Sequence, residues 1–327
     1  MGSLSRMAKN TQRITPGIEW PEGKEFAFTI FDDPDWDTVE NLAAMYSFIR
    51  DIGLRTTKAV WPTEGPGRPK IGGATCDDPQ YLQLILDLKK EGFEIALHNV
   101  THHTSTRERT AKGIERFHHL FGHYPYSMAN HSGCQESIYW QSARVSGVQR
   151  LIYNVLNLKL NGRNEGSQGH IEASPLFWGD LCKEKIKYVR NFVLGDINTL
   201  KACPATPYRD PARPYVNYWF ASSEGASVDS FNAMLSESNQ ERLNSERGAC
   251  IMYTHFANGF LANGRINDRF KALMQRISKM NGWFVPVHTL LDYILQVRGD
   301  RLITSTERSD LERKWLWHKI VHVRGRS

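Results

Sequence analysis

Short apolar runs alternating with longer amphipathic ones constrain this chain more than any other feature, because that pattern is the mark of serial βα units. Glu25–Phe31 reads as a buried strand. Val39, Leu42, Ala43, Tyr46 and Ile49 then recur at three- and four-residue intervals until Gly53 stops the helix. Thr56–Trp61 predicts a second strand, and the loop WPTEGPGRPKIGG leads to a helix over 78–91. Phe93–Leu97, a helix over 106–121 and Tyr126–Asn130 continue the series. Leu151–Val155, Tyr188–Leu194, Val216–Ala221 and Cys250–Tyr253 are the later strand candidates, and 158–186 reads as a loop-like insertion. Such a series closes into a barrel or lies open as a doubly wound sheet, and both place functional residues just beyond the strand carboxyl ends. With 327 residues, one enzyme-sized domain is the expected organisation.

Chemistry-bearing residues gather at those strand ends: Asp32 and Asp33 after the first, His98 after the third, Asn130 and His131 after the fourth, His255 after a late one. Two adjacent carboxylates in a partly dry cleft repel each other unless a cation offsets them. His98 and His102 stand four apart, the spacing that aims two imidazoles at one point from a helical turn. With Asp33 they make a His₂Asp set that suits a divalent ion with positions left for water and substrate; His103 is an alternative to His102. Asp35 and Asp37 read as capping the helix over 38–52. Trp36 among these acids reads as a substrate wall, whereas Tyr215, Tyr218, Trp219 and Phe220 read as core. His118, His119 and His123 fall at a helix end, where the helix dipole accounts for them.

The net charge of +6 is carried by the ends. Residues 1–18 hold three bases and no acid, and residues 298–327 hold eight bases against four acids, so the body is near neutral and offers no nucleic-acid groove. The basic tail WLWHKIVHVRGRS leaves docking on the barrel, a partner subunit and peripheral contact with an anionic membrane surface as options. The five cysteines are widely spaced with no Cys-x-x-Cys pair, which excludes a cysteine zinc knot and points to a reducing compartment. No apolar leader stands at the start and no run has the length of a membrane span, so a cytoplasmic protein is expected.

Taken together, TIFDD (Thr29–Asp33), HNVTH (His98–His102), YTH (Tyr253–His255) and GWFVPVHTLLDYI (Gly282–Ile294) resemble, in order and spacing, the polysaccharide deacetylases of the NodB-homology type, carbohydrate esterase family 4. The resemblance implies an α/β fold, an irregular (β/α)7-like barrel over residues 21–297, flanked by an N-terminal extension (1–20) and a basic C-terminal extension (298–327). It implies a divalent metal, zinc first and cobalt, nickel or manganese as alternatives, held by Asp33, His98 and His102, with Asp32 as general base and His255 as general acid. Trp36, Asn130 and His131 are the expected substrate contacts. The expected reaction is removal of an N-acetyl or N-formyl group from an amino sugar or glycan precursor, as in lipopolysaccharide assembly. A C–N hydrolase of a small non-sugar amide or ring, and a carbohydrate-binding pseudoenzyme, are the alternatives. Two departures stand out. Pro34 replaces the glycine of the family's FDDG, and no arginine stands in YPYSMANHSGCQES, where the family places one to steady its catalytic aspartate. The family's fourth motif has two candidate aspartates here, Asp180 and Asp196.

Overall fold

A computed structural model describes residues 18–161 and 166–324 of the chain. Seven parallel strands, β1 (Phe26–Asp32), β2 (Thr57–Val60), β3 (Glu94–Leu97), β4 (Ser127–Met128), β5 (Tyr188–Leu194), β6 (Tyr218–Ser223) and β7 (Ala249–Thr254), neighbour one another in chain order. β7 returns to β1 in register from Ala27↔Ala249 to Asp32↔Thr254, which closes the barrel. A further short strand, Gly282–Trp283, lies beside the start of β1. The fold is thus the irregular barrel of seven strands that the motifs imply. β4 is only two residues long, and β5 meets β6 through a register shift between Arg190 and Val193; these are the irregular points of the wall.

Period-two alternation sorts the strand residues into a lumen set and a helix-facing set. Ala27, Ala59, Ala96, Ala129 and Ala249 bring small side chains to one cluster, leaving room for Phe31, Tyr188, Phe220 and Ile251 to fill the lumen. Phe28, Ile30, Val60, Ile95, Leu97, Val189, Trp219 and Met252 belong to the other cluster, between the wall and the surrounding helices. At the amino-terminal end of the lumen, buried Glu94 accepts hydrogen bonds from Ser127 Oγ (2.6 Å), Thr57 Oγ1 (2.7 Å) and the His288 main chain (3.0 Å). This network closes the floor, so access is from the carboxyl ends.

Helices Val39–Asp51, Pro79–Lys90 and Arg107–Phe121 match the predicted ones to within a residue. Leu151–Val155 does not form the expected strand: it lies within the helix Gly147–Asn161, with Leu151, Ile152 and Val155 exposed. A five-residue stretch with four apolar members fits either period, and here the helical one prevails. Part of the expected insertion is the helix Gly179–Lys185, while 162–165 lie outside the described residues, as do 1–17 of the N-terminal extension and 325–327. The C-terminal extension supplies the helix Ser305–Arg324, which buries Trp315 against Phe192 and Tyr153, each ring at 5.6 Å. Among the described residues no helix is long and apolar enough to cross a membrane.

Candidate metal centre at the barrel mouth

The chain leaves β1 through Asp32-Asp33-Pro34-Asp35-Trp36-Asp37. Pro34 O accepts a hydrogen bond from Asp37 N (3.1 Å), making a tight turn in which Trp36 takes φ +63 and Asp35 occupies the corner. The following loop locks this turn, since Trp36 N donates to Gly72 O (2.8 Å) and Ala74 N to Asp37 O (2.9 Å). Gly73 has to be glycine: a Cβ there would stand 2.5 Å from Pro34 O. The expected capping role of Asp35 and Asp37 falls away, because Thr38 Oγ1 caps the helix in a reciprocal pair with Asn41.

Asp35 meets two imidazoles at that corner. Its Oδ1 lies 3.4 Å from His98 Nε2 and 3.3 Å from His131 Nδ1, and these nitrogens are 3.2 Å apart. All three residues are buried, and they form the candidate metal group found among the described residues. The triangle suits a metal. Bonds of about 2.0–2.1 Å in tetrahedral geometry put ligand atoms roughly 3.3–3.4 Å apart. Asp35 Oδ1 is buried with no hydrogen-bond partner, as expected of an atom that serves a cation. Burial holds His98 below the ordinary imidazole pKa, keeping it in the neutral form a ligand requires. Burial opposes ionisation of Asp35, yet the imidazoles of His131, His255 and His98 close beside it keep it well below the usual carboxylate range.

The expected ligand set was Asp33, His98 and His102, and the structure places two of these three differently. Asp33 forms a two-pronged ion pair with Arg190 of β5, at 3.0 and 2.5 Å, and its Oδ1 lies 3.8 Å from His98 Nδ1. That leaves Asp33 beside His98 but outside the triangle, bound to Arg190. His102 stays outside the triangle because the segment after His98 is not a helical turn: Asn99 takes φ +51, and the spacing of four loses its meaning. The His102 ring packs edge-on against Trp61 (5.4 Å), the indole that His98 and His131 also touch, and neither of its nitrogens has a partner. His103 binds Gly67 O in the loop above.

Asp32, expected as general base, is wholly buried with both oxygens engaged. Oδ2 takes bonds from Lys58 Nζ (2.7 Å) and Tyr46 OH (3.1 Å), and Oδ1 from Phe256 N (2.8 Å). Alternation explains this: Asp32 shares the helix-facing parity of Phe28 and Ile30, and Asp33 the lumen parity of Ala27 and Phe31. His255 does reach the site, with Nε2 3.5 Å from Asp35 Oδ2 and 4.0 Å from Asp33 Oδ2. Burial pulls its pKa down, but the carboxylates of Asp35 and Asp33 outweigh that and leave it raised. His255 Nδ1 faces Ala226 O (3.0 Å), so Nε2 is the atom that gains or loses a proton. Trp36 stands 46% exposed, its ring 5.5 Å from His255, at the place of the expected wall. His131, expected as a substrate contact, stands in the triangle with Asp35 and His98. Asn130, also expected as one, is turned inward and bonds the Ile138 main chain twice (3.1 and 2.8 Å), pinning the loop behind His131.

Sequence reasoning missed Arg190 and Lys58. Each is a lone charge inside a short apolar strand, YVRNFVL and TKAV, and that incongruity was the available signal. Arg190 reaches Asp33 from β5, its guanidinium lying over the rings of Tyr253 (4.3 Å) and Phe31 (4.9 Å). Asp180 and Asp196 are held elsewhere, by Arg107 (2.6 Å) and Arg242 (3.0 Å).

No protein-family model and no curated protein sequence matches the chain. Among solved structures it is similar to the Puue allantoinase, with a TM-score of 0.50 and 11% identity over 90% of this chain and 98% of that one. It is also similar to a probable polysaccharide deacetylase from Pseudomonas aeruginosa PAO1, with a TM-score of 0.50 and 10% identity over 90% and 98%. The class defined by these likenesses is a fold: the chain has the closed seven-stranded barrel of the polysaccharide deacetylases. The resemblance carried by TIFDD, HNVTH and YTH thus coincides with a likeness of architecture.

Proposed function

We propose that this protein is a metal-dependent hydrolase that removes an N-acetyl or N-formyl group from an amino sugar or glycan precursor. The single observation that carries the proposal is the triangle of Asp35 Oδ1, His98 Nε2 and His131 Nδ1 at the barrel mouth, with edges of 3.2–3.4 Å. Those three residues would hold the ion, zinc or another divalent metal of similar preference. When bound, such an ion polarises a carbonyl and lowers the pKa of a coordinated water.

The other residues take roles set by their geometry. Asp33 is the carboxylate presented to the mouth, and it takes the general-base role that the motif resemblance implied for Asp32. Arg190 keeps it ionised: burial opposes the charge, but the guanidinium and the neighbouring histidines hold its pKa below the usual range. The two bonds to Arg190 leave lone-pair sites free to receive a proton from water. His255, favoured in its charged form, donates from Nε2 to the leaving nitrogen, without which an amide does not break readily. Tyr253 OH, 3.2 Å from that Nε2, steadies the ring. Trp36 supplies an aromatic face at the rim on which a sugar ring stacks.

A second reading, a C–N hydrolase of a small non-sugar amide or ring, is favoured by the closeness of the site: Asp35, His98, His131 and His255 are each less than a tenth exposed. Metal analysis of the purified protein, run beside a panel releasing acetate, formate or ring-opened product, separates the readings. Stoichiometric metal that is lost in His131→Ala and kept in His102→Ala, together with acyl release from an amino sugar, is the expected result. A protein that takes up no divalent metal, or that turns over unchanged in His131→Ala, overturns the proposal.

A further inference from the structure

Behind the mouth, on the helix side of the barrel wall, lies a charged cluster that the proposed chemistry does not use. Lys58 is wholly buried, and its ammonium has three donors for three acceptors: Asp32 Oδ2 (2.7 Å), Asp37 Oδ2 (2.7 Å) and the main-chain oxygen of Asp33 (3.3 Å). Tyr46 and Tyr81, from the first two helices, add hydroxyl bonds to Asp32 (3.1 Å) and Asp37 (3.0 Å). Burial draws the Lys58 pKa down, but the two carboxylates more than reverse this and keep it charged.

The acceptors lie toward the two ends of the segment Asp32–Asp37, with Asp35 between them. One ammonium therefore grips the acidic turn at its first, second and last residues. The other oxygen of Asp32 takes Phe256 N (2.8 Å), so the same network ties down the residue after His255. A buried charge cluster contributes little stability over an apolar filling of the same shape, and where one is kept, a role in holding a specific conformation accounts for it best. Resting on the metal reading above, we infer that Lys58 is a positioning residue: it fixes the turn so that Asp35 completes the triangle with His98 and His131.

Cobalt(II) titration followed by visible d–d absorption tests this without any turnover assay. The triple variant Asp32→Asn, Asp37→Asn, Lys58→Met removes the charges and keeps the Asp32 side-chain oxygen that receives Phe256 N. It is expected to melt at or above the temperature of the unaltered protein, yet to bind cobalt at least about tenfold more weakly, the range seen when groups behind metal ligands are altered, and with a changed band. Asp37→Ala, which leaves a one-to-one Lys58–Asp32 pair and removes only the far grip, is expected to weaken cobalt in the same direction. If either variant folds and binds cobalt with unaltered affinity and spectrum, the positioning role is refuted while the metal site stands. If the unaltered protein binds no cobalt, the metal reading fails and this inference with it.

Discussion

Arg190→Met tests the centre most directly, because it removes one charge of a buried pair and leaves the strand's shape nearly intact. The Arg190 and Asp33 side chains are 2% and 3% exposed, joined by bonds of 3.0 and 2.5 Å, and the guanidinium stacks on Tyr253. Breaking such a pair from one side strands the carboxylate and costs about 3–5 kcal/mol. Part of that is recovered when the stranded charge is also removed, so Arg190→Met with Asp33→Asn should be more stable than Arg190→Met alone by roughly 2 kcal/mol or more. Urea unfolding of the four proteins at pH 7, with equal slopes required for a valid comparison, gives the coupling energy. Asp33→Asn alone should lose stability as well, since Arg190 is then the buried charge without a partner. A coupling below about 0.5 kcal/mol would mean that water already screens the pair, and the account of how Asp33 is kept ionised would be wrong.

At the barrel floor, burial opposes the Glu94 charge, but His288 and the Ser127 and Thr57 hydroxyls lower its pKa, while Glu94 raises that of His288 against burial. The Glu94 contribution is present above about pH 4.3 and fades as pH falls through its depressed folded value; the His288 contribution is full below about pH 6.5 and fades as pH rises through its raised one. Glu94→Gln should therefore cost more, roughly 2 kcal/mol, near pH 5.5–6 than near pH 8.5, and a pH-independent difference in urea midpoints would refute the pairing. Gly73→Ala forces a methyl to within 2.5 Å of Pro34 O and should lower stability by about 1–3 kcal/mol and weaken metal uptake, both checked on one preparation by melting and metal analysis. Trp36→Ala, at a half-exposed side chain, should leave the melting temperature within error and raise KM for an amino-sugar substrate more than it lowers kcat; equal kinetics would remove Trp36 from the substrate wall.

Much of the fold was legible because hydrophobic period is a local property: β5 was read as Tyr188–Leu194 and is Tyr188–Leu194, and three long helices fell within a residue of expectation. Leu151–Val155 was misread because five residues, four of them apolar, carry too little phase to separate periods of two and 3.6. The candidate site lies where strand order pointed, since strand carboxyl ends are where a parallel barrel opens. The assignment among neighbouring acids was not. Asp32 and Asp33 look alike in a string, yet one faces Lys58 on the helix side and the other Arg190 in the lumen.

Periodicity by itself determined serial βα units with acids and histidines just beyond the strand carboxyl ends, leaving barrel and open sheet as alternatives, and the motif resemblance implied the barrel. Only the tertiary structure decided which of them meet. Asp35 joins His98 and His131 because a turn at Pro34–Asp37 aims it inward, and His102 is left out because the backbone at Asn99 breaks the helical spacing. Arg190 and Lys58 arrive from strands far off in sequence, and a contact between distant segments leaves no periodic trace in either one.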